Sequence, residues 1–191
     1  MMPLHYFKLA CDLWYLLGVV WLFGLLTAKP DARTQSVSSR ILEIGLGALA
    51  FSLVFSDYFR SGWTALSFAP TSAITGAVGL FLVLMGVCFA IWARLQLGGN
   101  WSAAVSVKEG HTLIRQGPYT IVRHPIYSGL LLSLLGVALI VGEVRGLLGV
   151  GVFFLALWIK SSIEERFMLE EFGAEYRSYQ QRVKALVPYI F

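Results

Sequence analysis

The chain has 191 residues, 57% of them hydrophobic and only 14% charged, with a mean hydropathy of +0.71. A soluble domain has about 45–50% apolar and about 25% charged residues, so this composition excludes an ordinary soluble fold and points to a bilayer. The net charge of +4 is mildly basic, but the cations are dispersed beside apolar runs, which gives no support to nucleic-acid binding.

A helix that crosses a bilayer needs about 20 apolar residues. The sequence predicts five such spans within one domain: Leu9 to Ala28, Ile41 to Phe55, Thr71 to Ala93, Ile126 to Val141, and Leu147 to Ile159. The first is expected to be a retained helix, because no small-residue cleavage site follows it. The last two are short and are joined by Gly142-Glu143-Val144-Arg145-Gly146, which reads as the turn of a helical hairpin. The fifth is expected to run on as a helix into a charged tail, with Gly173 as its stop. The expected fold is therefore an all-α integral membrane protein with about five spans. Three spans fall in residues 1–93, and a loop, a hairpin and a helical tail fall in 94–191.

Five spans bring the 29–40 loop, the 94–125 loop and the tail to one side. That side carries twelve Lys and Arg residues, against Lys8, Arg60 and Arg145 on the other. The positive-inside rule then predicts a cytoplasmic tail and an external N-terminus. Asn100-Trp101-Ser102 matches a glycosylation sequon, which is discounted on a cytoplasmic loop.

Cys11 and Cys88 both lie in apolar runs and are expected to be small buried hydrophobes rather than a disulfide pair or metal ligands. His5, His111 and His124 have no carboxylates at metal-site spacing, so no metal centre is expected. Phosphate-binding glycine loops and a GxSxG elbow are also missing from the sequence.

The richest stretch is 117–129, which holds Gly117-Pro118-Tyr119, Arg123-His124-Pro125 and Tyr127-Ser128-Gly129. Pro125 pushes His124 out of the α region and suits the first position of a helix. Arg123 and His124 would then stand at the positive end of the fourth helix, where an anion is favoured; lipid phosphate and simple helix capping are the competing roles. Tyr119 and Tyr127 are interfacial anchors or an aromatic wall for a flat or cationic ligand. His111-Thr112-Leu113-Ile114 suggests an extended stretch beneath a ligand. In the tail, Glu164 is a candidate partner for a ligand ammonium, with a solvated charged face as the alternative. Lys160 and Arg182 are the cations placed to meet an acidic substrate.

Together these pieces resemble the isoprenylcysteine carboxyl methyltransferases and the related phospholipid N-methyltransferases. The resemblance covers about residues 95–191 and rests on His111–Ile114, Gly117-Pro118-Tyr119, Arg123–Gly129, Glu164-Glu165, Phe172–Tyr176, Tyr179, Arg182-Val183 and Pro188. It implies a membrane enzyme with an S-adenosylmethionine pocket built by the last two helices and the tail. His111, Leu113, Ile114, Tyr119, His124, Pro125, Tyr127 and Glu164 would line it, and the acceptor would be a lipophilic molecule entering from the bilayer, with a prenylcysteine-like carboxylate as one candidate. Lys160 stands where the eukaryotic carboxyl methyltransferases have arginine, and lysine cannot make the planar two-bond grip on a carboxylate. Two other readings stay open at this point. Steroid and sterol reductases resemble the same C-terminal architecture but use a nicotinamide dinucleotide, and a non-catalytic membrane module would use the tyrosines only as anchors.

Overall fold

The structure, a computed structural model, describes residues 4–26, 28–102, 104–108 and 112–188. Five helices carry the fold: α1 (Leu4–Leu26), α2 (Val37–Phe55), α3 (Ala73–Leu97), α4 (Pro125–Val141) and α5 (Val144–Arg182). All but α4 are long and apolar enough to cross a membrane. At 17 residues, α4 is about 25 Å long, close to the hydrocarbon thickness of about 30 Å.

The ends of the helices follow from local chemistry. Ser36 caps α2 by accepting from the Ser39 amide. Ser72 and Thr75 form a reciprocal capping box at the start of α3. Pro125 opens α4, and Gly142, left-handed at φ +70°, closes it. Glu143 then starts α5, so the expected hairpin is present. Gly173 departs from the expectation. With φ +50° it breaks the helical geometry, but the chain resumes as helix through Arg182, so the glycine is a kink rather than an end.

Packing pairs α3 with α4 and α2 with α5, around a core of Val54, Val83, Val87, Leu134, Val137, Ile140 and Leu157. The α3–α4 contact is the closest. A Cβ built on Gly86 would sit 2.4 Å from the Gly129 carbonyl oxygen, and one on Gly136 would sit 2.5 Å from that of Gly79. These four glycines, seven residues apart on each helix, let the two backbones touch. Helix α1 meets the bundle along Ala10, Leu17 and Gly24, while Leu16, Leu22 and Phe23 stay exposed. That apolar outer surface suits lipid tails. Cys88 faces outward on α3 and Cys11 is half-buried, so the expected burial in protein fails. In a bilayer the outward face is itself apolar, which satisfies the same preference.

At one end, the buried Arg145 guanidinium donates to the carbonyls of Leu53 and Ser56 at the close of α2 and pairs with Glu143 at 2.6 Å and Asp57 at 3.0 Å. At the other end lies a feature the sequence did not suggest. Asp31–Thr34 (β1) and Ser106–Lys108 (β2) pair as an antiparallel ribbon. It fastens the 29–40 and 94–125 loops to each other. Arg33 pairs with Glu170 and Arg115 with Glu175, which ties both loops to the tail. The three polar stretches thus gather at one end of the bundle.

Candidate functional site

The polar end closes over a cavity of about 500 Å³, inside the range of about 300–1,000 Å³ common for small-molecule sites. Its walls come from α1 and α2, the 97–119 loop, the start of α4, and α5 with its tail.

His124 sits just before α4 with φ −121° and ψ 61°, the non-helical state that Pro125 enforces. Its ring is 8% exposed and lies between two carboxylates, with Nδ1 3.3 Å from Glu164 and Nε2 3.1 Å from Glu165. The ring also stacks flat on Tyr127 at 5.5 Å, whose hydroxyl donates to Glu164. Arg123 Nε donates to Glu165 at 2.8 Å, and Gln180 donates to the other oxygen of that carboxylate at 2.9 Å.

The tail then folds back on the turn. The amides of Arg123 and His124 donate to the carbonyls of Lys184 and Ala185 at 2.7 and 3.0 Å. The Arg123 guanidinium also donates to the carbonyls of Gln180 and Val183, and Tyr179 donates to the Tyr119 carbonyl at 2.6 Å.

Burial alone would lower the pKa of His124, but the hydrogen bonds and charges of Glu164 and Glu165 outweigh it and raise it above 6.5. Glu165 lies beyond the expected end of the fifth span. Burial would raise its pKa, yet His124 and then Arg123 hold it down at about 2. Burial first, and then the Glu164 charge, push the Tyr119 phenol well above its ordinary value.

These shifts fix a pH window. The His124 contribution is complete below 6.5 and is lost as pH rises through the raised value; that of Glu165 is complete above 4.5 and is lost as pH falls toward about 2. The thermal midpoint of wild type is therefore expected to fall as pH rises from 6.5 through the raised His124 value, and His124→Gln is expected to flatten that slope. Thermal unfolding in detergent across this range, read for both proteins, checks it.

Of the expected site residues, Leu113, Ile114, Tyr119, Arg123, His124, Tyr127, Lys160 and Glu164 all line the cavity. Pro125 is buried directly behind them. His111 lies outside the described residues. Arg182 is not brought in: it is exposed and bonds back to Ser178 one turn earlier. Arg123 lines the wall, but its guanidinium is engaged by Glu165 and the tail carbonyls, so it holds the turn and the tail together. Asn100 is buried against Thr112, donating to it at 2.8 Å, which removes the sequon from the surface.

Three groups were given no place in the site by the sequence. Glu165 is the second carboxylate of the pair; the signal was the match of adjacent Arg123-His124 with adjacent Glu164-Glu165. Tyr176 and Tyr179 complete the tail wall. Glu43, on α2, also faces the cavity, and the signal was a lone acid inside a predicted span. Among the described residues no cluster of His, Cys, Asp and Glu has the makings of a metal site.

Several known proteins resemble this chain. Protein-S-isoprenylcysteine O-methyltransferase of Rattus norvegicus is 31% identical over 174 residues, 87% of this chain and 60% of that one. Its counterpart in Saccharomyces cerevisiae is 28% identical over 151 residues, 76% of this chain and 60% of that one. The chain thus spans about three fifths of the length of these curated relatives. Among solved structures, the eukaryotic intramembrane Ras methyltransferase, isoprenylcysteine carboxyl methyltransferase, matches with a TM-score of 0.51. It is 24% identical, with 83% of this chain and 55% of that one covered, a likeness of fold that fits an all-α integral membrane protein. The model of the phospholipid methyltransferase family matches residues 74–175, which takes in α3, the polar turn, α4, the hairpin and both carboxylates of the His124 pair. The chain belongs to the phospholipid methyltransferase family.

Proposed function

We propose that the protein transfers a methyl group from S-adenosylmethionine to a lipophilic acceptor, with a prenylated-cysteine carboxylate as the first acceptor to examine. The observation that carries this reading is the His124–Glu164 contact at 3.3 Å, on the wall of a cavity lined by both the polar loops and the spans. The residues suit the donor's chemistry. Glu164, held in place by His124 and Tyr127, offers a carboxylate to its ammonium or sulfonium, and Tyr119 and Trp101 offer flat faces to its purine. When bound, the donor supplies a methyl group activated by a sulfonium.

The protein's own contribution is then positioning and exclusion of water. The α2–α5 side of the cavity is apolar, lined by Ile44, Phe153, Ala156 and Leu157, and suits a hydrocarbon chain. Lys160 lies at its polar end, with Nζ 5.9 Å from the centre of the Tyr127 ring, and meets the acceptor carboxylate. An ionised carboxylate needs no base. We place the polar end in the cytoplasm on the distribution of cations, with the N-terminus outside. The relatives named above are methyltransferases, and the reductase reading gains no support from them.

Purified protein in nanodiscs, given labelled S-adenosylmethionine and an S-farnesyl N-acetylcysteine, is expected to label the acceptor. S-adenosylhomocysteine is expected to raise the thermal midpoint. Stabilisation by NADPH and not by S-adenosylhomocysteine would overturn the proposal.

A further inference from the structure

Glu43 stands apart from the site as the sequence describes it, on α2 and outside residues 74–175. Its side chain is 10% exposed and lines the cavity. Its Oε2 lies 3.9 Å from Lys160 Nζ, a loose pairing. Its Oε1 is buried and has no hydrogen-bond partner among the described residues. A buried carboxylate oxygen without a donor is costly, and an acid inside a spanning helix is rarely idle. Because Glu43 lines the cavity, a molecule bound there is a candidate source of that donor.

Lys160 and Glu43 present opposite charges side by side. A headgroup with only a carboxylate would gain Lys160 and be repelled by Glu43. One with only an ammonium would gain Glu43 and be repelled by Lys160. A head that carries both a carboxylate and an N–H donor on neighbouring atoms satisfies the pair at once. The apolar α2–α5 wall takes the rest of the molecule.

We infer that Glu43 is a specificity-determining residue that accepts a hydrogen bond from an N–H beside the acceptor's carboxylate, so that the site selects amphiphiles with an α-amido or α-amino acid head. This rests on the reading of the cavity as a site for a lipophilic carboxylate, and it requires no bond to form or break at Glu43.

Two amphiphiles test it without any methyl donor: an S-farnesyl N-acetylcysteine, and the S-farnesyl 3-mercaptopropionate that lacks the amide. Equilibrium binding to wild type in nanodiscs is expected to favour the amide-bearing acid by about tenfold or more, the size of a hydrogen bond to a charged group. Glu43→Ala is expected to bring the two within about twofold. If that variant does not fold, Glu43→Gln keeps the shape without the charge and is expected to reduce the ratio. Equal binding by wild type, binding of neither compound, or an unchanged ratio in the variant overturns the inference. The methyl-transfer reading is judged separately, by binding of S-adenosylhomocysteine, so the two can fail independently.

Discussion

Glu164→Ala is expected to weaken S-adenosylhomocysteine binding by about 100-fold and to lower kcat/KM by at least as much. Glu164 receives the Tyr127 hydroxyl and one nitrogen of His124, and in the proposed function it is the carboxylate that would face the donor's cationic groups. Removing one partner of a largely buried, hydrogen-bonded charge pair costs about 2–5 kcal/mol, and each 1.4 kcal/mol is about tenfold in affinity. Two measurements separate a ligand role from a structural one. Glu164→Gln keeps the size and one acceptor oxygen, and is expected to fold normally while binding the ligand more weakly than wild type. Glu175→Ala removes an exposed acid about three turns beyond, paired only with Arg115 among the described residues, and is expected to change ligand affinity by less than about twofold. If calorimetry finds Glu164→Ala binding like wild type, the carboxylate is not a ligand.

Gly86→Leu has an effect of comparable size by a different route. The first added carbon would lie 2.4 Å from the Gly129 oxygen and 2.5 Å from the Ser133 nitrogen. Both are backbone atoms of α4, so no side chain can swing aside and the helices must separate. Overpacking of this kind costs about 3 kcal/mol, with more to follow from the loss of neighbouring contacts. Because α4 begins at Pro125, moving it carries His124 and Tyr127 away from Glu164. Loss of ligand-induced stabilisation should therefore accompany the fall in stability. Gly45→Leu is the control, since a Cβ there meets nothing within 4 Å. Denaturant titration in detergent of the two variants checks the contrast, and equal stability would refute the close-contact account.

The parts of the fold legible from the sequence were those governed by local or periodic chemistry. Apolar runs marked the five helices, and Pro125 marked the start of α4 to within a residue. The convergence of His124 and Glu164 on one site was anticipated because five crossings bring the turn and the tail to one side; their direct contact was not. What escaped reading depends on contacts between distant segments. The β1–β2 ribbon is made of strands too short to alternate visibly. Gly79, Gly86, Gly129 and Gly136 acquire meaning only when two helices are laid against each other. Glu43 was passed over because its span otherwise looked like any apolar helix. Arg182 was drawn toward the site by its neighbours in sequence, but its position at the end of α5 leaves it facing outward.

The cavity draws one wall from water-facing loops and the other from within α2 and α5. In the proposed methyl transfer, reagents with no common solvent would therefore meet inside it, the charged one arriving from the aqueous phase and the greasy one from the lipid. Neither would have to be extracted into the other's medium. The cavity would be the place where two immiscible compartments share a boundary one molecule wide.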